Sequence, residues 1–139
     1  MSGFVVDASV VVATLVVEAD TDAARRIMAD AQMSGAVAPP HLPLEVANAL
    51  TMKLRRNLID IPYRDAALEV FTGYEIRIDG LPDRAAVMRR TVGLADRYGL
   101  TIYDAAYLEL AQREKLVLAT LDGPLGQAAK RERVELAAA

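Results

Sequence analysis

Cysteine is absent from this chain, and that single omission closes several routes. Disulfides, thiol nucleophiles and Cys-ligated zinc or iron–sulfur centres are excluded, and a reducing compartment is expected. Histidine occurs once, at His41 in a proline-rich turn, so the sequence offers no convincing zinc cluster or Cys–His nucleophile. His41 itself reads as an ordinary loop residue. Tryptophan is missing too, which removes the usual fluorescent reporter of folding. No apolar run is long enough to cross a bilayer, since Val10–Val17 falls well short of the roughly 20 residues required. It follows Asp7 rather than a basic stretch, so it does not read as an export signal. The expectation is a cytoplasmic protein with no membrane association. A basic excess is lacking as well. The formal charge is −3, which by itself argues against nucleic acid as a partner, although net charge is silent on where the charges lie.

What is present suffices for a folded domain. The chain has 139 residues, of which 53% are hydrophobic and 25% charged, enough for a core without covalent staples. We expect one domain over residues 1–139, with the alanine tail at 137–139 fraying. Several arginines come in pairs, Arg55-Arg56, Arg89-Arg90 and Arg131 near Arg133, and solvated helix faces account for most of them.

Short apolar runs alternate with helical patterns. Phe4-Val5-Val6 reads as a buried strand ending at Asp7, with a helix over Val10–Glu18 that Asp7 or Ser9 would cap. Thr21 to Gln32 is a second helix, and Ala36-Val37-Ala38 a short strand closed by Pro39-Pro40. Pro43 suits the first turn of a helix whose apolar face would hold Leu44, Ala47, Leu50 and Leu54. Further helices are predicted over Tyr63–Phe71, Asp83–Tyr98, Ile102–Glu114 and Asp122–Arg131. Glu75–Asp79 alternates like a strand, Leu116–Ala119 is a run suited to a strand covered on both faces, and Val134–Leu136 suits a last edge strand. Leu15, Val16 and Met52 are assigned to the core. Strands alternating with helices predict an α/β fold, a mainly parallel sheet flanked by helices. In such sheets functional groups gather beyond the carboxyl ends of the strands.

Four of the 19 acidic residues fall at that edge. Asp7 ends the first strand, and Asp122 stands shortly after the strand Leu116–Ala119. Glu45 lies in the first turns of the helix after the second strand. Asp104 opens the helix that immediately precedes the fourth strand, Leu116–Ala119. Four converging carboxylates would repel, and a hard divalent cation is the usual remedy. Magnesium or manganese prefers such oxygen donors and can serve phosphodiester hydrolysis. Each acid also has a local explanation, as a helix cap or a first-turn partner of the helix dipole. Glu45 and Asn48, three residues apart, share a helix face, and Thr120 could orient a carboxylate by a hydrogen bond.

The residues around these acids resemble the PIN-domain family, and within it the VapC toxins of toxin–antitoxin pairs. Val5-Val6-Asp7-Ala8-Ser9 is similar to the family's opening motif of apolar residues followed by Asp-x-Ser. Leu44-Glu45-Val46-Ala47-Asn48-Ala49-Leu50 resembles its Glu-x-x-Asn-x-Leu helix. Leu100–Leu108 is similar to the segment holding the third acid, and Leu118-Ala119-Thr120-Leu121-Asp122 to the strand followed by Thr-x-Asp. Order and spacing agree from Phe4 to Leu136. The resemblance implies a PIN-like three-layer fold and a magnesium- or manganese-dependent endoribonuclease. Asp7, Glu45, Asp104 and Asp122 would hold the metal and do the catalysis, with Ser9, Asn48 and Thr120 as the polar groups behind them. It also implies an RNA substrate, a homodimer and a cognate VapB-like antitoxin. Arg55 and Arg56, on the helix that carries Glu45, are candidates for RNA phosphate contacts.

Three other readings compete. A phosphoryl-transfer enzyme of the haloacid-dehalogenase type would use Asp7 as nucleophile, but it needs a second Asp where Ser9 stands. A non-catalytic module could bind a basic partner in an acidic groove, and a PIN nuclease could act in RNA processing outside a toxin–antitoxin pair.

Overall fold

The structure is a computed structural model that describes residues 3–138. Met1, Ser2 and Ala139 lie outside the described residues, the last of them part of the tail expected to fray. Four strands, β1 (Phe4–Val6), β2 (Ala36–Ala38), β3 (Arg77–Ile78) and β4 (Val117–Ala119), form one sheet in the order β3-β2-β1-β4. Every pairing is parallel, with Val5 beside Val37 on one side and Leu118 on the other. The helices are α1 (Ala8–Leu15), α2 (Thr21–Ser34), α3 (Leu42–Arg55), α4 (Ile61–Gly73), α5 (Arg84–Tyr98), α6 (Ile102–Glu114) and α7 (Gly123–Arg131). Helices α1 to α4 pack among themselves, as do α5 with α6 and α6 with α7, and both α2 and α6 lie against β1. This is the α/β class expected.

The central strand is apolar throughout because both its faces are covered. Val5 and Val6 are fully buried, as are Val10 and Val11 in the helix that follows. Burying each such side chain stabilises the fold by about 1.5–3 kcal/mol. Local signals set the element ends. The Asp7, Thr101 and Asp122 side chains cap α1, α6 and α7 by accepting a backbone N–H three residues on. Gly99, at φ 65°, stops α5 in the left-handed conformation that glycine adopts without strain.

Four expectations need correction. The first helix spans Ala8–Leu15 rather than Val10–Glu18, because Val16 already returns to extended backbone. The buried face of α3 is Leu42, Val46 and Leu50, whereas Leu44 is 75% exposed. The strand expected over Glu75–Asp79 shortens to Arg77–Ile78 at the sheet edge. Val134–Leu136 makes only an isolated parallel bridge between Leu136 and Leu118. Hydrogen bonds support that bridge, the Leu118 amide to the Glu135 carbonyl at 2.8 Å and the Ala137 amide to the Leu118 carbonyl at 2.9 Å. Leu15 and Val16 are buried as expected, and Met52 is half-buried.

Topology places the site. The chain moves outward from β1 through β2 to β3, then returns to the other side of β1 for β4. A crevice opens beyond the carboxyl ends of strands where the order reverses in this way. Asp7 and Thr120 are the first residues past the two strands that meet there, and the Asp7 amide donates to the Ala119 carbonyl at 3.1 Å.

Candidate active site

Asp7 is only 4% exposed and is held at both carboxylate oxygens. Its Oδ1 accepts the Ser9 hydroxyl at 2.6 Å and the Val10 amide at 3.1 Å, and its Oδ2 accepts the Thr120 hydroxyl. The two hydroxyls are themselves oriented. Ser9 Oγ accepts the Leu121 amide at 2.9 Å and Thr120 Oγ1 the Asp122 amide at 3.0 Å, so each hydroxyl proton points to Asp7. Burial lifts the Asp7 carboxyl to about 6, although Ser9, Thr120 and Val10 all favour the ionised form. Asp104 adds a smaller upward push as a neighbouring anion.

Glu45, in the first turn of α3, is tied through one oxygen. Its Oε1 accepts the Tyr107 hydroxyl at 2.6 Å and lies 3.3 Å from His41 Nε2. Asp122 caps α7, its Oδ2 accepting the Leu125 amide at 2.8 Å. Asp104 does not cap its helix, since Thr101 does, accepting the Asp104 amide at 3.1 Å. Burial raises the Asp104 carboxyl, and the charges of Asp122 and Glu45 raise it further. These mutual effects bring the four predicted acids into one electrostatic neighbourhood, with Asp104 at its centre.

Asn48 lies exposed on α3. Together with Ser9, Glu45, Glu18 and Lys53 it lines a cavity of about 450 Å³ beside the acids. A larger cavity of about 740 Å³, lined by Gly3, Gln112 and Lys115, contains none of the four acids. Arg55 and Arg56 end α3 and are exposed; neither lines the smaller cavity. About 15 Å of helix rise separates Arg55 from Glu45.

Three contributors escaped sequence reasoning. Lys53 is the one cation lining the smaller cavity among the described residues, 3.4 Å from Glu18. Tyr107, three residues after Asp104, shares its helical face, a spacing that could have drawn attention to it. His41, read as an ordinary loop residue, sits against Glu45 instead.

A divalent cation suits the donor set. All four side chains offer oxygen, and among the described residues Glu45 Oε2, Asp122 Oδ1 and the Asp104 carboxylate take no protein hydrogen bond. No three carboxylate or imidazole groups of the described residues already stand as a coordination set. That is compatible with magnesium, which is usually held through one or two carboxylates and keeps several waters. The raised carboxyls of Asp7 and Asp104 are those of acids that a nearby positive charge would relieve.

Comparison with known proteins agrees. The family model for the PIN domain matches residues 4–131. Ribonuclease VapC3 of Pyrobaculum aerophilum is 32% identical over 123 residues, covering 88% of this chain and 92% of that one. Ribonuclease VapC3 of Mycobacterium tuberculosis is 35% identical over 125 residues, covering 89% and 85%. In fold, the crystal structure of PAE2754 from Pyrobaculum aerophilum superposes with a TM-score of 0.68 at 24% identity, over 91% of this chain and 79% of that one. That of Mycobacterium tuberculosis VapC20, a sarcin–ricin loop cleaving toxin, gives 0.67 at 18% identity, over 91% and 95%. With its sheet order, its carboxylate edge and these relatives in agreement, the chain belongs to the PIN-domain family, on its VapC branch.

Proposed function

We propose that the protein is a magnesium- or manganese-dependent endoribonuclease, the toxin of a toxin–antitoxin pair, with its active centre at the carboxyl edge of the sheet. The observation that carries this reading is Asp7, held at both carboxylate oxygens by Ser9 and Thr120 where β1 and β4 end, with Ser9, Glu45 and Asn48 lining the adjoining cavity. The relatives named Ribonuclease VapC3 supply the substrate class, RNA.

In this reading Asp7, Glu45, Asp104 and Asp122 would hold the cation, directly or through its waters. When bound, it supplies a more acidic water and neutralises charge on the phosphodiester. The chain's own contribution is geometric. Ser9 and Thr120 fix both oxygens of Asp7, and the backbone amides of Leu121 and Asp122 fix those hydroxyls in turn. The centre then does not have to reorganise as charge develops. Asn48 faces the same cavity and can donate to a phosphate oxygen. Arg55 and Arg56 extend the cationic reach along α3, where RNA phosphates further from the cut would lie.

Protein partners are part of the proposal. An apolar groove lined by Pro40, Leu81, Met88, Val92, Ile102 and Tyr103 supports a homodimer. Exposed Val17, Leu58 and Ile61, just beyond α1 and α3 and at the start of α4, support an antitoxin of the VapB kind. Among the described residues no helix is long and apolar enough to cross a membrane, in keeping with cytoplasmic action.

The test is cleavage of total cellular RNA by purified, antitoxin-free protein with magnesium, manganese or a chelator, beside an Asp7→Asn variant. Discrete metal-dependent products that the variant fails to make are expected. Identical behaviour of folded wild type and variant under every metal condition would overturn the reading.

A further inference from the structure

Glu45 differs from the other acids in how it is held. Asp7 and Asp122 are secured by helix caps, but Glu45 is held through its side chain by His41, one turn before it at the start of α3, and by Tyr107 on α6. Both contact the same oxygen. Tyr107 donates its hydroxyl to Oε1 at 2.6 Å, and His41 Nε2 lies 3.3 Å from that atom. Among the described residues Oε2 receives nothing.

The clamp is rigid for identifiable reasons. Tyr107 is 1% exposed and is the bulkiest of the fully buried side chains, so its phenol has no freedom to seek water. His41 Nε2 also lies 3.0 Å from the Tyr103 carbonyl. A carbonyl can only accept, so Nε2 carries the hydrogen and donates it to Tyr103 while standing 3.3 Å from Glu45 Oε1. The imidazole stands edge-on to both tyrosines, with ring centroids 5.4 Å from Tyr103 and 5.2 Å from Tyr107. Tyr103 and Tyr107 both belong to α6, the helix that carries Asp104. The clamp therefore fastens the acid of α3 to the helix bearing the acid that repels it. Without it, the half-exposed Glu45 side chain would relax toward solvent and away from Asp104.

We infer that Tyr107, assisted by His41, is a positioning residue for Glu45: it occupies Oε1 so that Oε2 alone is offered to the cation, at a separation from Asp104 fixed by α6. The inference rests on the metal-dependent reading above. It assigns Tyr107 a task that filling the core does not require, since phenylalanine would fill the same space. Groups that orient a ligand in this way commonly govern metal affinity by about 10–100-fold.

The experiment measures Mn²⁺ binding to the intact protein through the electron paramagnetic resonance signal of the free ion, for wild type, Tyr107→Phe and His41→Gln. Chelator-treated samples are melted alongside. Tyr107→Phe should weaken Mn²⁺ binding by about ten-fold or more, with cleavage recovering as the metal is raised to saturation. His41→Gln keeps an N–H donor and should stay within about three-fold of wild type. In a Glu45→Gln background, Tyr107→Phe should cost no further affinity, because the oriented carboxylate is already gone. Equal Mn²⁺ affinity in wild type and Tyr107→Phe, or an equal loss in both backgrounds, overturns the inference. If Tyr107→Phe fails to fold, the decision passes to His41→Ala, which removes the imidazole that stands against Oε1. It should weaken Mn²⁺ binding where His41→Gln does not, and equal affinity in those two overturns the inference. The broader reading fails separately, when wild type neither binds Mn²⁺ nor cleaves RNA.

Discussion

The Thr120 hydroxyl donates to Asp7 Oδ2 across 113 residues of chain, closing the ends of the two neighbouring strands β1 and β4 onto one carboxylate. Thr120→Val keeps the shape but removes that donor, and with it the acceptor of the Asp122 amide. A buried group left unpaired costs about 1–3 kcal/mol, so urea unfolding should register a loss of that order. RNA cleavage should fall by about ten-fold or more as Asp7 loses its orientation. Thr120→Ser should restore most of both. If Val and Ser variants cleave alike, the hydroxyl has no part in the reaction.

Asp7 itself should be a burden on the fold in the absence of metal. Its folded value is about 6 against an ordinary 3.8, so ionisation is penalised in the native state. Below about pH 4 both states carry the proton and no penalty exists. The penalty grows as pH rises toward 6 and is constant above, on the order of 1–3 kcal/mol. Asp7→Asn should accordingly be more stable than wild type in chelator at pH 7.5, with the gap closing by pH 4. Urea titrations at both pH values decide this, and a variant no more stable at pH 7.5 contradicts it.

Much of this was legible in the sequence for physical reasons. Phe4–Val6 and Val117–Ala119 are short apolar runs because they are covered on both faces, and the acid following each is where a parallel sheet exposes chemistry. Helix α6 spans Ile102–Glu114 as read from its pattern, although its cap is Thr101 and not Asp104. The face of α3 was misjudged because Leu-Pro-Leu-Glu-Val-Ala-Asn-Ala-Leu is apolar almost all round, so more than one helical stripe fits. Tyr107 was missed because its role exists only where α3 meets α6, whereas the i, i+4 spacing of His41 and Glu45 did record their contact. The Tyr107–Glu45 bond joins residues 62 apart, and no local periodicity records such a contact.

Arg55 and Arg56 lie exposed at the end of α3, and none of the ion pairs among the described residues involves either of them. If they meet RNA phosphates, their effect is electrostatic and graded by salt. Arg55→Gln with Arg56→Gln should raise KM for RNA and flatten its dependence on salt, by about 0.7 in logarithmic slope per lost contact to single-stranded RNA. The metal requirement should not move. KM measured across a potassium chloride series provides the check, and an unchanged slope removes both residues from the RNA path.

The last prediction concerns stability away from the site. Arg113 donates to both oxygens of Asp79, at 3.0 and 2.8 Å, and to Glu109 at 2.9 Å. Asp79 is 5% exposed and Glu109 2%, so the arginine offsets two nearly buried charges. Its guanidinium holds the Asp79 carboxyl below the ordinary carboxylate value, the hydrogen bond being the leading cause. For a depressed acid the stabilisation is present above the unfolded value of 3.8 and is lost as pH falls through the lower folded value. Arg113→Met strands Asp79, while Glu109 keeps Arg90 at 3.0 Å, and should cost about 3–5 kcal/mol at neutral pH, shrinking at acid pH, where Asp79 is protonated. Adding Asp79→Asn should recover much of the loss. Arg113 lies about 14 Å along α6 from Asp104, so cleavage per folded molecule should hold. Urea unfolding at pH 7 and pH 3 separates the cases, and an equal loss at both would mean packing, not charge, is what Arg113 contributes.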